Sequence, residues 1–141
     1  MKLTDLTEVP DKKPEVTLVP EGTYTVVITD AEEGTSPVKG TPQIALSMEI
    51  ADGEYKGRGV WDHVYITDAA MWRMKQFLMA CRYQLPDGPF ELNTAELINR
   101  RIEVDLYHDD YNDKTRVKVE AFRPATGPLM VEAQPEDDIP F

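Results

Sequence analysis

Cysteine is almost absent from this chain. Cys81 stands alone among 141 residues, so no internal disulfide can form, and no other Cys or His lies at metal-ligand spacing from it. Its helix-like surroundings mark it as a small buried apolar residue. No apolar run approaches the ~18 residues that a membrane-crossing helix needs. The first residues, Met1-Lys2-Leu3-Thr4-Asp5, lack the apolar stretch of a secretory signal. These absences predict a soluble, cytoplasmic protein with no membrane contact. Basic residues are also scarce: 15 Lys and Arg face 26 Asp and Glu, a net charge of −11. As a sum, that acidity argues against nucleic-acid binding, which draws its affinity largely from Lys and Arg neutralising phosphates. The placement of the charges therefore matters more than their total.

The length fits one domain with tails. Residues 1–21 mix charges with Pro10, Pro14 and Pro20 and read as an N-terminal arm. Patterning begins at Gly22. Tyr24, Val26 and Ile28 alternate with Thr23, Thr25 and Thr29, which predicts a first strand. Glu33 to Pro42 carries Gly34, Pro37 and Gly40 and reads as a loop. Ile44, Leu46, Met48 and Ile50 alternate into a second strand, Asp52-Gly53 is a turn signal, and a third strand runs from about Gly57 to Ile66. Asp68 is placed to cap a helix reaching Tyr83. Its stripe of Met71, Met74, Leu78 and Cys81, with Phe77 alongside, has the spacing of a core-facing side. Pro86-Asp87-Gly88-Pro89 ends that pattern, and Thr94 to Asn99 reads as one short helical turn. Ile102, Val104 and Leu106 predict a fourth strand, His108 to Thr115 a polar hairpin loop, and Val117, Val119 and Ala121 a fifth strand.

Residues 22–123 thus read as one all-β domain with one main helix. Three strands, a helix and two strands is the element order of a five-stranded OB-fold-like barrel with its helix between strands three and four, a fold that binds oligonucleotides on strands two and three. A different α+β sheet with the same order fits as well. Residues 124–141 lose all periodicity. They hold Pro124, Gly127, Pro128 and Pro135, the acids Glu132, Glu136, Asp137 and Asp138, and no base, which predicts a disordered acidic tail.

The last five residues carry the most specific signal. Asp137 and Asp138 precede Ile139-Pro140-Phe141, and Phe141 would also bear the terminal carboxylate. An apolar tip inside a cluster of negative charge suits a partner with a small apolar pocket and a basic rim. Solvation of an acidic tail explains the carboxylates but not the Ile-Pro-Phe. This tip resembles that of bacterial single-stranded DNA-binding proteins, which close in Asp-Asp-Ile-Pro-Phe. The resemblance implies docking of replication, recombination and repair proteins. Tyr55-Lys56-Gly57-Arg58, Trp61-Asp62 and the helix with Trp72 and Phe77 resemble small phage-encoded relatives, which would place the protein in a host cytoplasm.

Binding a single strand without sequence preference takes cations for phosphates and aromatic faces for bases. On the third strand Val60, Val64 and Ile66 share one face with Asp62, while Trp61, His63 and Tyr65 share the other. A binding face would hold Trp61 and Tyr65 beside Tyr55 and Arg58; alternatively Trp61 fills the interior. If the aliphatic set is core, Asp62 points inward unless a bulge shifts the register. The last two strands add Tyr107, Tyr111, Lys114, Arg116 and Lys118, and Lys39 lies before the second strand. The domain itself holds 12 basic and 17 acidic residues, a net of −5, so binding would rest on local clustering and depend on salt. The acidic tail would compete with DNA for the same cations.

Two other functions share some of these features. Asp105, Asp109, Asp110 and Asp113 near His108 could serve a metal-dependent nuclease, but Asp-rich hairpins are common for turn chemistry. The calcium-loop pattern fails for want of its central Gly. The expectation is therefore no catalysis, no metal and no cofactor. An adaptor that seizes host replication proteins through the tip without binding DNA is the other alternative. A homo-oligomer formed through strand edges or tail exchange is left open.

Overall fold

The computed structural model describes residues 1–9 and 18–129. Five antiparallel strands form one sheet: β1 (Gly22–Thr35), β2 (Pro42–Ile50), β3 (Gly59–Tyr65), β4 (Arg101–Tyr111) and β5 (Lys114–Pro124). Their order across the sheet is β3-β2-β1-β4-β5. One main helix, α1 (Met71–Ala80), follows β3, and a 3-10 turn at Thr94–Leu97 precedes β4. Among the described residues, no helix is long and apolar enough to cross a membrane.

The central strand β1 serves two neighbours in succession. Gly22–Val27 pairs with β4, and Val26–Thr35 pairs with β2. Thr29 is the extra residue of a bulge between Ile28 and Asp30, and its hydroxyl donates to the Ser47 carbonyl at 3.1 Å. A bulge bends its strand and increases the local twist, which lets one strand turn from one partner to the next. β1 therefore runs on to Thr35, well into the segment expected to be loop. Its backbone pairing with β2 survives although Glu32, Glu33, Gly34 and Thr35 bury nothing.

The alternation of β2 is realised without exception: Ile44, Leu46, Met48 and Ile50 are all buried. With Val26, Ile28, Val60, Val64, Ile102, Val104 and Leu106 they form the core. The second hairpin is tighter than expected. β4 continues to Tyr111 and β5 begins at Lys114, leaving only Asn112-Asp113 as the turn. Both turn residues have positive φ, 51° and 63°, as a twisted two-residue hairpin requires. His108 to Tyr111 are thus strand, not loop. In β5 a second bulge puts Glu120 between Val119 and Ala121, because Val119 pairs with Leu106 while Ala121 pairs with Asp105. The inward positions become Val119 and Phe122, and Ala121 is only half-buried.

Helix α1 packs across β3 and β5. Phe77 meets Phe122 edge-on at 5.1 Å, and the Gln76 side chain accepts a 3.1 Å bond from the Phe122 N–H. Met74, Leu78 and Cys81 of the helical stripe are buried, while Met71 remains 38% exposed. Asp68 does not cap the helix. It opens a 3-10 turn over Asp68–Ala70, and neither helical start has a side-chain cap bond. The folded body also reaches past the expected limits of 22–123. Val19 is buried in the core, and its carbonyl lies 2.8 Å from Nε2 of His108. At the other end Ala125 is buried, and the Arg101 N–H donates to the Leu129 carbonyl at 2.6 Å.

Candidate nucleic-acid interface

β2, β1 and β4 lie inside the sheet, so β3 and β5 are its two edges. The edges are joined by side chains. Asp62 points into the interior with no bulge in β3. One of its oxygens accepts the His63 N–H at 2.7 Å, and the other accepts the Val119 N–H of β5 at 2.7 Å. Arg73 of α1 completes the link, donating to the His63 carbonyl on β3 and to the Val119 carbonyl on β5, each at 2.7 Å. Its guanidinium also lies 3.6 Å from the Asp62 carboxylate and 5.0 Å over the Phe122 ring. Asp62 and Arg73 thus act as a latch, supplying by side chain the donors and acceptors that a backbone ladder would otherwise exchange.

The alternation of β3 then fixes what faces outward. Since Val60, Asp62 and Val64 are buried, Gly59, Trp61, His63 and Tyr65 share the opposite face. Trp61 is 67% exposed, so it is not an interior residue. Its indole lies along the strand over Gly59. A Cβ at Gly59 would sit 2.8 Å from Cζ2 of that ring, and closer still to Cη2. Glycine at this position is what lets the indole lie flat. His63 and Tyr65 pack edge-on at 4.5 Å. The β2 residues paired with this row are Glu49, Ser47, Ala45 and Gln43, which do not cover the rings.

A concavity of about 380 Å3 opens where this row meets β5. His63, Tyr65, Trp72, Tyr107, Lys118 and Glu120 line it together with the latch residues. Lys118 makes no salt bridge among the described residues, whereas Arg116 lies 3.7 Å from Asp109. The His63 imidazole is held below its ordinary pKa, first by burial and then by the cations Lys118, Arg73 and Arg116, with Asp62 opposing. The positive charge near this face is therefore on the β5 side. On the β1 side, Glu32 pairs with Ala45, and Glu49 itself is exposed.

The other sequence candidates are scattered around this face. Lys39 lies in the β1–β2 turn, at the end of the sheet where Gln43 pairs with Tyr65. Arg58 precedes Gly59 at the opposite end. Tyr55 is half-buried, its ring edge-on to Tyr24 at 6.2 Å, so it is no open platform. Lys114 is exposed beside the β4–β5 turn, and Tyr111 ends β4, with its side chain outside the described structure. The tip Asp137, Asp138, Ile139, Pro140 and Phe141 and most of the arm's prolines lie outside the described residues.

The Asp-rich hairpin does not assemble as a metal centre. Asp105 bonds Arg123 and Thr23, Asp109 pairs with Arg116, Asp110 accepts from Thr115, and Asp113 sits in the turn. Among the described residues, no three His, Cys, Asp or Glu side chains come together to hold an ion.

A family model described as protein of unknown function (DUF669) matches residues 7–135. The chain belongs to that family. No curated protein matches the sequence. The match to the DUF669 family runs from the arm through all five strands and into the acidic tail, so the latch and the aromatic row both lie within the part that defines membership.

Proposed function

We propose that this DUF669 protein binds single-stranded DNA along the outer face of β3 and recruits replication, recombination or repair proteins through Asp137–Phe141. The observation that carries this reading is the row Trp61, His63 and Tyr65, open on one face and bordered by Lys118 and Arg116. Exposed rings in line are costly to leave in water and suited to bases, each stacked base contributing about 1–3 kcal/mol. Cations on the β5 side alone would draw the phosphate backbone towards β5 and leave the bases over β3.

The sheet supports an OB-like barrel. β1 is shared between β2 and β4, β2 and β3 form the binding side, and a helix follows β3, as in that fold. In our reading the Asp62–Arg73 latch closes it along the β3–β5 seam.

The competing reading is an adaptor that uses the tip alone, favoured by the acids Glu32, Glu49 and Glu120 around the face. Titration of labelled oligo-dT at low ionic strength separates the two. Coating predicts saturable binding that weakens as salt rises, and a loss of about five- to a hundredfold in Trp61→Ala. Wild-type protein that leaves the oligonucleotide unbound would overturn the coating reading.

A further inference from the structure

Trp72 is explained neither by the core nor by the β3 row. It is the second residue of α1 and is 63% exposed. The core beneath it is already filled, since Phe77 and Phe122 pack on each other. Its side chain lines the seam concavity with Tyr65, Tyr107 and Lys118. It also lines a second depression, with Lys75, Gln76 and Met79 of α1 and with Phe122, Arg123 and Pro124 further along β5. Trp72 thus stands between the two, on the opposite bank of the seam from the β3 aromatics.

We propose that Trp72 is a second base-stacking platform, onto which the single strand passes after leaving β3 and crossing the seam at Lys118. This rests on the single-strand-binding reading above. The charges set the course. Lys118 and Lys75 make no salt bridge among the described residues and lie on either side of the indole. Arg73 is committed to the latch. Glu120 is the other carboxylate besides Asp62 that lines the concavity, so phosphates pass on the Lys118 side and bases turn towards Trp72. Of the exposed apolar residues of α1, Met71 lines a different groove, and Met79 shares the second depression with Trp72, where Lys75, Gln76 and Arg123 interrupt the apolar lining.

The chain has two tryptophans, so each can be observed alone. In Trp61→Phe the emission comes from Trp72, and in Trp72→Phe it comes from Trp61. Phenylalanine keeps a stacking face, and far-UV circular dichroism verifies the fold of each variant. Both full-length variants are titrated at low salt with oligo-dT of increasing length. Both emissions should be quenched, with Trp72 responding only to oligomers longer than the shortest that quench Trp61. Trp72→Ala should weaken binding of the long oligomers at least fivefold and leave the shortest unchanged. Trp72 emission that stays constant while Trp61 is quenched overturns this inference and leaves the proposed function standing. So does a Trp72→Ala protein that binds every length as wild type does. If neither tryptophan responds and no oligomer binds, both fall together.

Discussion

Removing the carboxylate of Asp62 tests whether the two sheet edges depend on the latch. Asp62→Ala strips the acceptor from the His63 and Val119 N–H groups, both held at 2.7 Å, and the counter-charge from Arg73 at 3.6 Å. Hydrogen bonds to a charged group contribute about 1.5–3 kcal/mol each. Taking one partner from a buried ion pair costs about 3–5 kcal/mol. Arg73 keeps its two carbonyl acceptors and its side chain is 18% exposed, so it is not stranded. The expected loss is therefore near the lower figure, about 3–4 kcal/mol. For a domain of this size that lowers the melting temperature by about 12–18 °C. Urea unfolding followed by far-UV circular dichroism should show a reduced midpoint with an unchanged slope. Arg73→Met removes two charge-assisted bonds, to His63 and Val119, and leaves the buried Asp62 carboxylate without its counter-charge, and should cost about 3–5 kcal/mol. The double variant should lose less than the sum, because each change removes part of the same link. An Asp62→Ala loss below about 1 kcal/mol, or strict additivity, would refute the latch.

Gly59→Val places a side chain where the Trp61 indole now lies. Near-UV circular dichroism should change while stability falls by less than about 1 kcal/mol, and oligo-dT affinity should drop at least fivefold. Burial pushes the Cys81 thiol up to about 12. In the folded protein it should resist iodoacetamide at pH 8 and react only as the chain opens. Because the unfolded thiol ionises first, stability should fall as pH rises from ~8.5, the usual thiol value, towards 12. His63 has the opposite sign. Its pKa is held below the ordinary 6.5, so the unfolded chain takes the proton first and stability is lost as pH falls below that value. Bound phosphate would favour the imidazolium. Oligonucleotide affinity should therefore rise as pH drops from 7 to ~6 and stay flat in His63→Gln, as measured by anisotropy titration.

Much of the sheet was legible because its strands obey a strict period of two. Ile44 to Ile50 read off as a buried face, and the division of β3 into Val60, Asp62 and Val64 against Trp61, His63 and Tyr65 follows from the same rule. Asp62 looked like an objection to that division. The structure shows it inward and satisfied, by a partner 57 residues away that no local pattern can reveal. The two bulges were hidden for a related reason. An inserted residue such as Thr29 or Glu120 shifts the face of everything beyond it, and nothing in its own identity marks it. The β4–β5 hairpin is legible, but its turn is shorter than the expected loop from His108 to Thr115, because Asn112-Asp113 is a less common pair for positive φ than one containing Gly. Of the candidate site, Trp61, Tyr65, Tyr107, Arg116 and Lys118 converge on the β3–β5 face, while Tyr55 is spent on Tyr24. Trp72 and Glu120 joined that face only through the packing of α1 and the bulge in β5.

Photo-crosslinking tests the central claim most directly, because it asks where the nucleotides lie. Full-length protein is irradiated at low salt with oligo-dT carrying 5-iodouracil, digested, and the adducts are mapped by mass spectrometry. The account predicts adducts on the β3 peptide at Trp61 or Tyr65, competed away by unlabelled oligo-dT. Adducts confined to other surfaces, or none at saturating oligonucleotide, would contradict it.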